Sequence, residues 1–302
     1  MKYIIIFIIF IQIFAKDVIE KDEYCTLNWT KFTLTCHAKS APGQNEYAAT
    51  KAAEVLAKTK ILEKIKGVHI YSKTTINNLM TNEIVYETVE GTIRGAKIIK
   101  TQFDPSKGQA IAYAQIDLID DILIKLLKKT EVSYWKKYLA PFLLYAAEYS
   151  QKDLDTLKKL LGDFKKSGNK KAVEFLKSIL NKIKKDGKYT GIIINAKNVP
   201  NFQYALVPKI RSYNGKELYP SDYVTTDTIL QTHGVVLYDS SIKSAEQNKR
   251  VTNDPIILNA KSVYGNNRSD LLLDKQSSQI IQKINDEILK KAKVIIVGNS
   301  DD

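Results

Sequence analysis

Three histidines (His37, His69 and His233) and a few clustered carboxylates are the places where this 302-residue chain could do acid–base or metal chemistry. Asp117, Asp120 and Asp121 fall close together, and paired carboxylates can share a proton or hold a cation. They sit where a β-rich run gives way to a helical one. Acids facing the positive end of a helix explain that placement more simply. His233 precedes Asp239, Ser240 and Ser241, the residue types of a nucleophilic triad. Such mixtures arise by chance in chains of this length. There is no GxSxG elbow, HExxH or CxxC. GTIRGAK at Gly91–Lys97 has three residues between its glycines and no Ser or Thr after the lysine, so it is not a phosphate loop. Asp254–Pro255 and Asp270 read as turn formers. No catalytic residue, cofactor or metal is therefore expected, and a non-enzymatic role leads. An enzyme acting on cell-wall polymer ranks third among the readings.

The two cysteines carry a different chemistry. Folding YCTLNWTKFTLTC about Thr30–Lys31 sets Trp29 opposite Phe32, Leu27 opposite Leu34 and Cys25 opposite Cys36, all on one face of the ladder. Facing positions lie about 4.5–5.5 Å apart at Cα, within disulfide range. Thr-Lys is not a favoured two-residue turn, so a longer loop could alter the register. Two buried free thiols are the plainer alternative. A zinc site would find only His37 nearby, and zinc wants four donors.

An address is written at the front. Met1–Lys2 is followed by the apolar run Tyr3–Phe14, broken only by Gln12, and Ala15 offers a small residue before Lys16–Asp17. This is the layout of a secretory signal peptide cleaved after Ala15. The run is short for a membrane span of about 20 residues. An uncleaved anchor and a buried segment remain the other possibilities. An oxidising periplasmic or secreted setting would favour the Cys25–Cys36 bridge. No cysteine stands at the cleavage site, so lipid attachment at the amino terminus is not expected.

The elements that must position these residues begin with an alanine-rich helix ending at Gly67. Ala48, Ala52, Val55, Leu56, Thr59, Leu62 and Ile65 recur at three and four, which predicts its buried face. Gly67 suits a left-handed cap. Val68–Ile76, Ile84–Phe103 and Gln109–Leu118 are rich in β-branched residues and predict strands. With Asn28–Trp29, the Lys66–Gly67 helix end and EGTIRGAKII, this block resembles the LPP-twenty-type lipoprotein family. That domain also occurs at the front of flagellar assembly protein T and in basal-disk lipoproteins. The resemblance spans about residues 24–118 and implies a strand-helix-strand-strand domain in a bacterial envelope protein; it does not imply an active site.

Residues 119–187 differ in character. From Asp121 to Asp186 there are sixteen lysines against eight acids, a net +8 within a chain of formal charge +13. Helices are expected at about 121–130, 133–149, 152–166 and 169–185, with Ser150, Ser167 and Asn169 as caps. Trp135, Tyr138, Phe142, Tyr145 and Tyr149 share one helical face. They form either the core of a bundle or an aromatic contact surface for another subunit. Lys158, Lys159, Lys165 and Lys166 form either a solvated face or a contact for an anionic membrane surface or cell-wall glycan. Nucleic acid is not an expected partner for an exported protein.

Residues 188–299 return to strands at 189–196, 204–212, 234–240, 255–264 and 293–298. A long helix is expected at 274–291, its ridge formed by Ile280, Ile284, Ile288 and Ala292. TGIIINAKNV, ALVPKI, DPIILNAK and RSDLLLD resemble the segment that often follows the first domain in envelope proteins. The fold class expected is α+β: a small strand-helix-strand-strand domain (24–118), a basic helical insert (119–187) and a second mixed α+β domain (188–299). The leading functional expectation is assembly or stabilisation of a multi-subunit envelope structure, with the flagellar motor periphery as the family's best-known setting. A periplasmic adaptor or binding module at a membrane surface, unconnected to motility, is the alternative.

Overall fold

The computed structural model describes residues 16–129 and 189–299, with Lys159, Leu161, Gly162, Lys165, Lys166, Lys170, Val173 and Glu174 between them. The fold is α+β, a strand-helix-strand-strand block followed by a second mixed sheet.

The first sheet contains β1 (Ile19–Lys21), β2 (Cys25–Asn28), β3 (Thr33–Lys39), β6 (Lys97–Asp104) and β7 (Gln109–Asp117), in the order β1-β2-β3-β7-β6. Helix α1 (Glu46–Lys66) lies across β3 and β7. Its buried ridge is Ala49, Ala53, Ala57, Ile61 and Ile65. The predicted face was thus one position out of register: Val55 and Leu56 are exposed, and only Ile65 of that set is buried. Because an i, i+4 alanine row gives no hydrophobic contrast with its lysine and valine neighbours, periodicity selected the larger side chains. The alanines that the sheet selects let the helix lie close. Small side chains meet small side chains, since Cys36, Ala38, Ala110, Ala112 and Ala114 are all buried on the facing strands. Asn45 caps the helix by accepting from the Ala48 amide. Gly67 ends it in a right-handed conformation (φ −81°, ψ −10°), not the left-handed one expected.

The expected strand Ile84–Phe103 is two elements. Glu83–Arg94 is helical (α3), with Asn82 accepting from the Val85 amide, and β6 starts only at Lys97. Val85, Val89 and Ile93 are buried at four-residue spacing, so the β-branched residues follow a helical period that tertiary packing selects over their strand propensity. The run Val68–Ile76 becomes a small hairpin, β4 (His69–Tyr71) and β5 (Thr74–Thr75), leading into a short helix, α2 (Ile76–Leu79). After β7, a π-helical turn at Leu118–Leu123 runs into α4 (Ile124–Lys129).

The second sheet has seven strands: β8 (Ile192–Asn195), β9 (Ile210–Arg211), β10 (Glu217–Tyr219), β11 (Leu237–Asp239), β12 (Ile256–Tyr264), β13 (Asp270–Leu273) and β14 (Val294–Val297). Their order is β10-β9-β13-β12-β8-β14-β11, and β12, β8, β14 and β11 run parallel. Central parallel strands are covered on both faces, which is why IIIN and VIIV read as unbroken apolar runs. The expected strand 204–212 shrinks to Ile210–Arg211, because residues 206–207 instead bond the first block. The long helix of 274–291 is broken at Ile284–Asn285 into Lys275–Lys283 and Asp286–Lys290. Asn285 caps the second piece through the Glu287 amide. Ile284, Ile288 and Ala292 are buried as the ridge required, with Ile280 partly so.

Among the described residues, no helix is long and apolar enough to cross a membrane.

Candidate functional site

The chemistry-bearing side chains gather where the two sheets meet. Buried residues of both belong to one continuous hydrophobic core. The hairpin of β2 and β3 supplies Trp29 and Phe32, which pack against Tyr204 and Tyr238 of the second block. The Trp29 ring lies 5.7 Å from Tyr204 and 5.9 Å from Tyr238, centroid to centroid, and Phe32 lies 5.9 Å from Tyr238. The register is the one the residue pattern implies: Leu27 faces Leu34 and Cys25 faces Cys36, although the turn holds four residues rather than two. The cysteines form a disulfide, with Cα atoms 4.1 Å apart. His37 stacks on Tyr113 (5.3 Å between ring centroids).

Backbone and buried charge complete the seam. The amides of Leu206 and Val207 donate to the carbonyls of His69 and Ile70, at 3.0 and 2.7 Å, so the second block extends β4. Asp270 was expected to shape a turn. It is instead a strand residue, fully buried, that accepts from Ser72 Oγ at 2.8 Å and from Arg211 Nε at 2.7 Å. Sequence pattern misses this because RSDLLLD looks like a turn followed by an apolar run. Gly265 lets the chain pass close by: its φ is +81°, and a Cβ there would meet Ser72 Cβ at 2.6 Å. Lys209 and Glu217 pair beside it at 2.8 Å. Arg250 donates to the carbonyls of Ala292, Thr232 and Gly234 at 2.6–2.9 Å, so one cation gathers backbone oxygens just at and beyond two helix ends.

Asp117, Asp120 and His233 are brought together with ligand atoms within 4.8 Å of one another. His233 does not join Asp239, which accepts from the Ser241 amide and from Ser244 Oγ. Asp117 caps the π-helical turn, accepting from the amides of Ile119 and Asp120 at 2.9 and 2.8 Å. This is the helix-entry role that the acid cluster implied. Its second oxygen lies 3.3 Å from His233 Nε2. Burial works to raise the Asp117 carboxyl, but His233 and the two amides outweigh it and hold it below the ordinary range. The hydrogen bond to Asp117 leads in raising His233 above its usual value, against burial. Three ligands from exposed and half-buried groups could offer a cation a weak foothold. Asp117 is already engaged by the two amides and His233.

A cleft opens at the same seam. One pocket, about 160 Å³, is lined by Glu20, Leu27, Trp29, Lys64, Gly67, Val68, His69, Gln203 and Tyr204. A neighbouring pocket, about 370 Å³, shares Glu20, Lys64, Gln203 and Tyr204 and adds Lys21, Ala196, Val199, Asn201, Phe202 and Asn299. Burial pushes the His69 imidazole down, so it is neutral at pH 7. Glu20, Lys64 and Tyr204 were not singled out by motif or spacing. Position was the available signal: NVPNFQY follows an apolar strand, and parallel sheets bind ligands beyond the carboxyl ends of their strands.

Lys159, Lys165 and Lys166 are helical and exposed. Trp135, Tyr138, Phe142, Tyr145, Tyr149 and Lys158 lie outside the described residues, as does the expected signal segment.

A profile of the second domain of Treponema pallidum Tp0624 matches residues 191–300, the stretch that builds the seven-stranded sheet. No curated protein matches the chain.

Proposed function

We propose that this chain is an exported, non-enzymatic protein of the bacterial cell envelope that helps assemble or stabilise a multi-subunit structure. The observation that carries the proposal is the Cys25–Cys36 disulfide, which closes the hairpin on which the seam is built. Disulfides persist in oxidising compartments and are rare in the cytosol. The apolar run Tyr3–Phe14 before Ala15 supports the same address, with cleavage there and without lipid attachment. The resemblance of residues 24–118 to the LPP-twenty-type family supports an envelope setting, the flagellar motor periphery being one instance.

The buried and half-buried charges support a scaffold rather than a catalyst. Asp270 ties the second block to the first through Ser72, with Arg211 beside it, Arg250 gathers the carbonyls of Ala292, Thr232 and Gly234, and Asp117 caps a turn. Beyond the stretch Ile119–Leu126, whose apolar side chains are buried in the core, residues up to 187 then provide the contact surface: exposed lysines for an anionic membrane or glycan, and the aromatic stripe for a neighbouring subunit. The seam cleft favours a second reading, a periplasmic binding or adaptor module.

Export is tested by the intact mass of native protein from cell fractions, measured with and without reductant before thiol alkylation. The expected result is a periplasmic species that begins near Lys16 and takes up alkyl groups only after reduction. A cytoplasmic species with two alkylatable thiols would overturn the proposal.

A further inference from the structure

Strand β6 closes one side of the first sheet, and among the described residues it pairs with β7 alone. At eight residues it is long for an edge strand, and it contains no proline. Lys97, Ile99, Lys100, Thr101 and Gln102 are exposed, Ile99 by 50%. Ile98 and Phe103 are only partly buried against the core. The outward N–H and C=O groups of such an edge are a template for another strand. Edge lysines and a bulge ordinarily guard against that pairing, and β6 has both. Ile98 faces Ala114 and Lys100 faces Tyr113, so Ile99 is the extra residue of a bulge.

These guards exclude most strands but admit one. With Ile99 and Lys100 counted as a single position, as they are against β7, the strand has seven ladder positions and Thr101 is the middle one. An antiparallel copy centred there sets Lys97 opposite Asp104, Ile98 opposite Phe103, Lys100 opposite Gln102, and Thr101 opposite itself. Every pair then shares one face of the sheet. Lys97, Lys100, Gln102 and Asp104 lie beside Gln115, Tyr113, Ile111 and Gln109, whereas Ile98, Thr101 and Phe103 lie beside the buried Ala114, Ala112 and Ala110. Opposite charges meet at both ends and apolar side chains just inside them. Asp104 Oδ1 is taken by Ser106, but Oδ2 has only Lys107 at 3.4 Å, and a carboxylate oxygen accepts more than one bond. Lys97 is exposed and makes no ion pair among the described residues.

We propose that β6 is a dimerisation edge: two copies of this chain join β6 to β6 about a two-fold axis through Thr101 and merge their first sheets into one. The matched bulges and the Lys97–Asp104 pairs select a second copy over an unrelated strand. Its use in an envelope assembly rests on the role proposed above. The contact itself belongs to the folded first sheet, so purified protein tests it without membrane or envelope partner.

Both native cysteines are held in the Cys25–Cys36 bridge, so an added thiol is the only free one. In this register the two Thr101 Cα atoms lie about 4.5–5.5 Å apart, within disulfide reach. Gln102 and its counterpart are offset by two positions, about 7 Å along the strands, which is too far. Under mild oxidation Thr101→Cys should form covalent dimer at least about tenfold faster than Gln102→Cys. That cross-link reports this edge alone, so its failure leaves the aromatic stripe to be judged separately. Sedimentation of the wild type should show a monomer–dimer equilibrium with a dissociation constant of about 1–100 μM, as suits a small contact. Lys97→Asp puts like charges at both ends and should weaken it about tenfold. Adding Asp104→Lys exchanges the two charges and should restore it. If Asp104→Lys disturbs its turn, Lys97→Asp and the two cysteine variants still decide. A wild type that stays monomeric at about 1 mM, equal cross-linking of the two cysteine variants, or unchanged dimerisation in Lys97→Asp would overturn the proposal. So would a monomer whose β6 amides all resist hydrogen exchange, because another segment of the same chain would then hold the edge.

Discussion

Asp117 Oδ2 lies 3.3 Å from His233 Nε2, joining the last strand of the first sheet to the end of a helix in the second block. His233 ends the helix Thr226–Thr232 in a left-handed conformation (φ 51°, ψ 58°), a backbone state that Asn tolerates better than most residues. The pair is a pH-dependent latch. His233 has its pKa raised in the folded state, so its contribution is complete below the unfolded value near 6.5 and fades as pH climbs through the higher folded value. Asp117 has its pKa lowered, so its contribution is present above about 4 and is lost as pH falls through the lower folded value. The latch is therefore strongest in mildly acidic solution. His233 is 40% exposed, so its worth is on the scale of a screened pair, about 0.2–1 kcal/mol. Denaturation at pH 5.5 and 8.5 should show His233→Asn costing that much at the lower pH and almost nothing at the higher. An equal cost at both would remove the latch.

Asp270 is the charge on which the seam depends most. It is fully buried, and its removal leaves Arg211 and Ser72 without their carboxylate. Asp270→Ala should cost about 3–5 kcal/mol, as breaking one side of a buried pair does. Urea unfolding measures this. Replacing Arg211 with Met as well should recover part of the loss, since no uncompensated buried charge then remains. A single-variant cost under about 1 kcal/mol would mean that water already satisfies the site.

The disulfide closes a loop of sequence separation 11. In the chain-entropy description such a loop contributes about 3 kcal/mol. Replacing both cysteines with alanine should lower stability by that amount while leaving the far-ultraviolet dichroism unchanged. An unchanged denaturation midpoint would show that the denatured chain gains nothing when freed from the bridge.

The fold class could be read from the residues because β2, β3, β7 and the apolar parallel strands alternate or saturate as strands must. The hairpin register followed from Leu27, Leu34 and the two cysteines. What escaped has a common cause. Ala49, Ala53 and Ala57 are too small to outvote Val55 and Leu56 in a hydrophobicity pattern, although the sheet selects them for closeness. Val85, Val89 and Ile93 carry strand propensity but obey a helical period. Asp270, Lys64 and Trp29 acquire their meaning from residues about 40 to 200 positions away, such as Ser72 for Asp270 and Asp22 for Lys64. No local window contains those partners.

The lysines and aromatics of residues 119–187 should separate two kinds of contact. Changing Lys158, Lys159, Lys165 and Lys166 to Gln should reduce co-sedimentation with anionic vesicles at low salt to the level that wild type shows near 1 M salt, where the Debye length is about 3 Å. Trp135→Ala and Phe142→Ala should abolish self-association or partner capture with little change in the melting of dilute monomer. A loss of about 3–5 kcal/mol in monomer stability would instead make the stripe a core.

The proposed membership of an envelope assembly is tested by cross-linking in intact cells, followed by envelope fractionation and sizing of every species that contains this chain. Discrete high-mass species in the envelope fraction that disappear with Trp135→Ala are the expected result. Recovery of the chain only as a cross-link-free monomer in the cytoplasmic fraction would contradict it.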